Sequence, residues 1–368
     1  MRVGLDYRPV TAAPWSGIAR QVLALEAALL QRPGVEVLRF TACPADHPHR
    51  RLAECPARPS PADGLHRPRE RFHFEVRFLP RAIRAQRLDL YIATANTGLP
   101  PCCAPAGTRY ALLLHDVFQL TLDNYHASLA RALAYRLIDW AGTARSLRLA
   151  DAVWTPSRYT AQAAAKLFPR QRAKLAVLPN AVPWRPADPA TPLPAGLPAR
   201  YWLAVGAREP RKNMPWFVEQ WRQARERQPD LPALALVARP QELPAELRRL
   251  DDLIWLKELD DATLRAVYAA AERLWQPSYA EGFGLPVIEA LAQGTPVAVA
   301  TGSALDEIAP PQAARFAPDD AGALQALMSK LAEAGPDGSA TANRAWAREY
   351  DMQAYAARLG PLLDGVLA

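Results

Sequence analysis

Two carboxylates eight residues apart, Glu281 and Glu289, bracket the segment Gly282-Phe283-Gly284-Leu285-Pro286 and the apolar run after it. The pattern predicts that Glu289 lies on an apolar helix and Glu281 on the loop that leads into it. Main-chain N–H groups at a helix start attract anions and hydroxyl oxygens. Glycines in such a loop let a ligand lie against the backbone. A carboxylate on either side suits a neutral, hydroxyl-rich ligand that carries a phosphate, which is the chemistry of a nucleotide sugar. Strand, glycine turn and helix recur throughout α/β proteins, so the pair gains meaning only from its company.

That company begins at Val205-Gly206-Ala207-Arg208-Glu209-Pro210-Arg211-Lys212-Asn213. A strand ends, a glycine follows, and three cations stand within five residues, just ahead of a predicted helix at Pro215. Cations at a strand end beside a helix N-terminus make an anion site. Fixed Arg and Lys side chains can take the place of a divalent metal on a diphosphate leaving group. In the first half, Leu112-Leu113-Leu114-His115-Asp116 puts a histidine at the end of a buried strand, and Ser16-Gly17-Ile18 opens a helix after the first strand. Neither GxGxxG nor GxxxxGK[ST] occurs, which excludes the usual dinucleotide and P-loop signatures.

The elements that must position these residues follow an alternating pattern. Expected strands are Val3–Leu5, Val35–Phe40, Leu88–Ala93, Ala111–His115, Ala152–Trp154 and Leu175–Leu178. A second set covers Tyr201–Val205, Ala233–Val237, Leu253–Trp255, Arg273–Gln276 and Pro296–Ala300. Helices are expected at Ile18–Leu30, Ser128–Leu149 and from Arg158. Strand–helix alternation predicts parallel α/β sheets, and a Pro- and Ala-rich stretch at Asn180–Arg200 has linker composition. The fold class is therefore α/β. It comprises an N-terminal domain over 1–183, a linker over 184–200 and a C-terminal domain over 201–345, with residues 346–368 forming a final helix. Two doubly wound domains imply a cleft, and ligands bind beyond the carboxyl ends of the strands.

The chain has 368 residues, half of them hydrophobic, enough for two cores. The start, MRVGLDYRPV, has the pattern of a strand and not of a signal peptide. No run reaches the ~18 apolar residues of a membrane span. A cytoplasmic protein is expected. Cys43, Cys55, Cys102 and Cys103 form no CxxC pair, so neither zinc nor a disulfide framework is predicted. Charge is uneven: residues 1–185 hold 26 Lys and Arg against 13 Asp and Glu, while the remainder is acidic. The excess concentrates between Arg50 and Arg87, where Phe72, Phe74 and Phe78 alternate. Basic charge beside aromatics fits an anionic membrane surface or a lipid-phosphate acceptor. The alternation FHFEVRF equally fits an ordinary strand on a solvated basic face. Nucleic acid is not expected as a partner.

Taken together, these residues resemble the family 4 retaining glycosyltransferases of the GT-B fold, over nearly the whole chain. The resemblance rests on Ser16-Gly17-Ile18-Ala19-Arg20, His115-Asp116, Thr155-Pro156-Ser157, Pro179-Asn180-Ala181-Val182, Gly206–Asn213 and Glu281–Glu289. The end, Ala345-Trp346-Ala347-Arg348-Glu349-Tyr350, resembles the family's last helix, which crosses back to the first domain. It implies two Rossmann-like domains facing across a cleft. Arg208 and Lys212 would bind the donor diphosphate, and Glu289 the ribose. Glu281 and the amides of Gly282, Phe283, Gly284 and Leu285 would hold the donor sugar. His115 would reach that sugar, Gly17 would make room near the diphosphate, and Lys257 to Leu259 would border the base. Glu281, His115, Lys212 and Arg208 are thus the catalytic candidates. The chain departs from the family at Val237-Ala238-Arg239-Pro240, in place of a glycine pair, and at Pro179-Asn180-Ala181, where PNG is usual.

The resemblance further implies transfer of a hexose from a nucleotide diphosphate sugar without a metal or other cofactor. The SGIAR start and short His-Asp strand are most similar to mannosyltransferases that build surface polysaccharide. GDP-mannose is therefore the first donor expected, ahead of UDP- and dTDP-sugars. The expected acceptor is a glycan or lipid-linked glycan, with the enzyme peripheral on the inner face of the cell membrane. Competing readings are a nucleotide-sugar epimerase on the same fold and a non-catalytic sugar-nucleotide scaffold. A periplasmic sugar-binding protein is disfavoured by the N-terminus.

Overall fold

Short aliphatic runs become buried parallel strands in the computed structural model, which describes residues 1–41, 71–122, 129–335 and 338–368. Two units form, one from Met1–Ala181 with Met352–Ala368 and the other from Val182–Asp351.

In the first unit the strands are β1 (Arg2–Asp6), β2 (Glu36–Phe40), β3 (Leu90–Ala93), β4 (Arg109–Leu113), β5 (Ala152–Thr155) and β6 (Leu175–Val177). All pair in parallel, in the order β2-β1-β3-β4-β5-β6. Parallel sheets need both faces covered. The helices that cover this one are α1 (Arg8–Ala12), α2 (Gly17–Leu30), α3 (Leu79–Gln86), α4 (Phe118–Thr121), α5 (Leu129–Leu149) and α6 (Arg158–Leu167). Val22, Leu25 and Leu29 of α2 pack with Val3, Leu5 and Ile92 in one apolar layer. Phe74, Leu79, Ile83 and Leu147 pack with Phe40, Tyr91 and Leu112 in the other.

The second unit repeats the scheme with β7 (Tyr201–Val205), β8 (Ala233–Val237), β9 (Leu253–Leu256), β10 (Arg273–Gln276), β11 (Val297–Ala300) and β12 (Ala314–Phe316). Their order is β12-β11-β10-β7-β8-β9, again parallel. Around them lie α7 (Met214–Arg227), α8 (Asp261–Ala270), α9 (Leu285–Gln293), α10 (Leu305–Ile308), α11 (Ala321–Ala334) and α12 (Ala340–Arg348). Trp275 anchors the core, with ring centroids 5.0 Å from Trp202, 5.6 Å from Phe217 and 5.8 Å from Phe316. The chain then returns to the first unit as α13 (Met352–Leu367). Its Tyr355, Leu359, Leu363 and Val366 recur at helical spacing and join the α2 layer.

In each sheet the strand order reverses once, between β1 and β3 and between β7 and β10. The crevice at such a switch point, outside the carboxyl ends of the strands, is where open α/β sheets bind ligands. Arg208 to Lys212 follow β7 and Glu281 follows β10, so topology alone brings them to one crevice.

Three expectations are corrected. FHFEVRF is not a strand: His73–Phe78 is a π-helical stretch running into α3. Its Phe74 is buried, and Glu75 is drawn in to pair with Arg8, while Phe72 stays exposed. The rest of the basic region, Arg50 to Glu70, lies outside the described residues. The stretch predicted as a linker over 184–200 is tied down on the second unit. Ala187 N donates to Gln293 Oε1 (2.8 Å) and Gln293 Nε2 to Arg185 O (3.0 Å). Trp346 does not open the returning helix. It lies on α12, where Asn343 Nδ2 donates to Gly294 O, Arg344 to Gln293 O and Trp346 Nε1 to Ile308 O. The crossing falls at Asp351, six residues later than 345.

Candidate functional site

At the β7–β10 switch point two loops are stitched together. Gly206, in the left-handed region at φ +81°, turns the chain out of β7, and its N–H donates to Val237 O. Pro210–Lys212 forms a single tight turn that ends at Asn213, also left-handed. Tyr279 N donates to Arg211 O (3.1 Å), and Arg211 Nη1 donates to Ala280 O (2.8 Å).

Glu281 sits where the loops meet, 6% exposed. Its Oε2 accepts from Arg211 Nη1 at 2.7 Å. Its Oε1 accepts from Lys212 Nζ at 3.0 Å, Ser278 Oγ at 2.9 Å and Gln276 Nε2 at 3.1 Å. Burial alone would raise this carboxyl, but Lys212 and Arg211 overturn that and hold it at about 2. It is an anion at neutral pH. Arg211 Nε also pairs with the exposed Glu209 at 2.6 Å, so two cations meet two carboxylates, and the pair offers an anionic ligand fixed N–H donors rather than an excess of positive charge.

The loop enters α9 through Gly284 at φ +109°, whose Cβ, were it present, would stand 2.7 Å from Leu305 Cδ2. Only glycine meets both demands. No side chain caps the helix, while Phe283 packs edge-on against Tyr350. Glu289 lies one turn on, and Tyr268 of α8 donates its O–H to Glu289 Oε2 at 2.9 Å.

The predicted residues fall into three groups. Lys212 and Glu281 are in direct contact, and Gly282 to Leu285 with Glu289 line the loop and helix that follow. Arg208 is exposed and has no ion pair among the described residues. The inward position belongs instead to Arg211, which sequence reasoning counted as a cation but gave no role. Lys257 and Leu259 follow β9, and between them Glu258 is left-handed and pairs with Arg239 at 3.0 Å. Tyr268, Ser278 and Gln276 were also missed. The serine and glutamine flank the motif closely enough to have been nominated, whereas nothing in the sequence links Tyr268 to Glu289.

Gly17 and His115 belong to the first unit. Gly17 is the first residue of α2, capped by Ser16 Oγ, which accepts from Ala19 N (3.1 Å). Further along α2, Gln21 exchanges two hydrogen bonds with the Ala181 backbone. His115 follows β4 and is buried. Its backbone N donates to Asn96 Oδ1 (2.6 Å), and its Nε2 lies 2.8 Å from Thr94 O. A carbonyl only accepts, so Nε2 carries the hydrogen and Nδ1 keeps its lone pair. Burial lowers the pKa of His115, against the pull of Thr94 O and Asp116, which keeps the ring neutral at pH 7. Thr94 Oγ1 donates in turn to Asp6 O at 2.6 Å. Beneath lies the buried pair of Asp6 and Arg8, 2.6 Å apart, with Glu75 at 3.4 Å from the same guanidinium.

A two-sheet α/β protein with a paired-glutamate, Arg-Lys crevice defines a class, the GT-B glycosyltransferase fold, and comparisons agree. Residues 15–185 match the description "Glycosyltransferase Family 4" and residues 199–334 match "Glycosyl transferases group 1". The chain belongs to this family of glycosyltransferases. It is 32% identical over 155 residues to the O-antigen chain mannosyltransferase RfbU of Salmonella typhimurium, 41% of this chain and 43% of that one. It is 27% identical over 240 residues to O-antigen chain mannosyltransferase B of Escherichia coli, 59% of this chain and 60% of that one. The chain thus spans 43% and 60% of the length of these relatives. Sucrose-phosphate synthase from Thermosynechococcus elongatus shares the fold at a TM-score of 0.73 and 20% identity, over 99% of this chain and 98% of that one.

Proposed function

We propose that the protein is a retaining hexosyltransferase that moves mannose from GDP-mannose to a glycan or lipid-linked glycan of a surface polysaccharide. The observation that carries this is the convergence of Arg211 and Lys212 on Glu281 at the β7–β10 switch point. The mannosyltransferase relatives support the choice of sugar.

In this reading a donor diphosphate lies against Arg211, Lys212 and the uncapped start of α9, where fixed charges stabilise it as it leaves. Glu289, held by Tyr268, accepts from the ribose hydroxyls, and Glu281 with the Gly282–Leu285 amides holds the sugar. Nδ1 of neutral His115 accepts from a sugar hydroxyl. The acceptor hydroxyl attacks the face the diphosphate leaves, and the departing phosphate takes its proton. Catalysis is then positioning and electrostatics, with no metal and no glutamate nucleophile. The acceptor's lipid carrier and the basic first unit fit a peripheral enzyme on an anionic membrane.

The test is a thermal-shift panel of GDP, UDP, ADP and dTDP with their sugars, with and without EDTA, on wild type and Glu289→Ala. A ligand that binds only the folded state raises apparent stability. A shift for GDP that survives EDTA and disappears in Glu289→Ala is expected. Turnover of the donor without any acceptor, giving an isomerised sugar nucleotide, would instead identify an epimerase. No shift with any nucleotide would overturn the proposal.

A further inference from the structure

The core-facing stripe of α5 continues past the core that covers it. At its C-terminal end Leu147 is buried and Ala144 packs in the same layer. About one, two and three turns before Ala144 on that stripe stand Trp140, Leu137 and Leu133, which are 49%, 66% and 68% exposed. Tyr135 and Ile138 are also exposed, so this one helix carries five of the eleven large hydrophobic side chains exposed among the described residues. Scattered exposed hydrophobics need no explanation, whereas a contiguous ridge marks an interaction surface.

Both flanks of the ridge are cationic. Trp140 lies 6.2 Å from the Phe168 ring, which sits between Lys166 and Arg170, with Arg172 beyond. These three are exposed, and none is ion-paired among the described residues. On the other side Arg71 reaches α5 through Asp139, at 3.9 Å, and is followed by exposed Phe72. Exposed Arg77, Arg81, Arg84 and Arg87 continue along the π-helical stretch and α3. Asp139, the sole acid of α5, is already bridged by Arg71. Trp, Tyr and Leu above the plane and Arg and Lys at its edge are the composition of a helix that lies in a lipid headgroup layer. No described helix is long and apolar enough to cross a membrane.

We propose that the α5 ridge, Leu133 to Trp140, with the Lys166–Arg172 flank, is where this protein lies on an anionic phospholipid bilayer. This deepens the reading of a lipid-linked acceptor by naming the surface that meets its membrane. Leu137 and Trp140 would enter the headgroup boundary while the flanking cations meet lipid phosphates.

The experiment is flotation of the full chain with vesicles of phosphatidylglycerol and phosphatidylethanolamine, and with phosphatidylcholine alone. It compares wild type, Leu137→Glu/Trp140→Glu and Arg170→Glu/Arg172→Glu. Wild type should float with the anionic vesicles, and each double variant should partition roughly tenfold less or weaker still. Their melting temperatures and nucleotide-induced thermal shifts should stay at wild-type values, which separates failure of this proposal from failure of the donor reading. Equal flotation of wild type and variants would overturn it, as would equal binding to neutral vesicles. Light scattering that shows a dimer split by Leu137→Glu/Trp140→Glu, with no flotation, would give the ridge to a second copy of the chain and equally overturn it.

Discussion

Glu281→Gln removes one charge from the centre of the cluster and little of its shape. In the folded protein the carboxyl is held at about 2, against about 4.3 in an unfolded chain. The folded value is the lower one, so the unfolded chain takes up the proton first. The stabilisation is complete above about pH 4.3 and declines as pH falls toward 2. The gap between the two values corresponds to roughly 3 kcal/mol at neutral pH, of which roughly 2 kcal/mol is gone by about pH 3. A second route gives a similar size. Breaking a buried ion pair costs about 3–5 kcal/mol, and the side chains of Arg211 and Lys212 keep 17% and 16% of their exposure. Water therefore reaches both cations, which puts the cost at the low end of that range. Urea unfolding followed by tryptophan fluorescence, with Trp202, Trp221 and Trp275 in the core of the second unit, measures the difference. Glu281→Gln should be less stable than wild type by about 3 kcal/mol near pH 7 and by about 1 kcal/mol near pH 3. A gap that stays constant across that range, or a variant as stable as wild type, would refute the electrostatic account of the cluster.

Arg211→Ala and Lys212→Ala should each lower kcat at saturating donor by about 10²–10³-fold, and Arg208→Ala by far less. Steady-state kinetics in which Arg208→Ala is the most damaging would return the diphosphate to the solvent-facing arginine. Tyr268→Phe should raise the KM for donor about tenfold with kcat nearly unchanged, because it loosens a ribose-binding carboxylate by roughly one hydrogen bond to a charged group. An unchanged KM would make the tyrosine merely structural. Gly284→Ala forces a side chain into the left-handed region and against Leu305. It should cost about 1–3 kcal/mol, visible as a melting temperature lowered by several degrees.

The strands were legible because parallel strands buried on both faces leave continuous apolar runs such as Leu112-Leu113-Leu114 and Ala233–Val237. The Glu281–Glu289 spacing and Lys212 were legible as well, since a glycine loop between a strand and a helix constrains where they go. Arg211 was not. Three cations in five residues look alike in sequence, and only the tight Pro210–Lys212 turn decides that Arg211 points inward while Arg208 points out. FHFEVRF misled for a related reason. Its period of two is genuine, but Glu75 finds buried Arg8, and tertiary pairing overrides strand propensity. The crossing near Asp351 was placed early because Ala345 to Tyr350 resembles the family's last helix, yet the indole N–H of Trp346 is spent on Ile308 O of the second unit.

The return of α13 has a bearing on how the chain is made. Tyr355, Leu359, Leu363 and Val366 complete the apolar layer of the first unit, each contributing about 1.5–3 kcal/mol by burial. The second unit is one unbroken segment and can close as soon as Asp351 has emerged. The first cannot. At usual synthesis rates it waits roughly 10–40 s, while the whole second unit is translated, with α2 and its strands lacking their final cover. The half of the molecule made first is therefore the last to finish folding. During that interval it is the natural client of chaperones, and shortening the chain from its C-terminal end should injure the distant N-terminal half before it touches the glutamate pair.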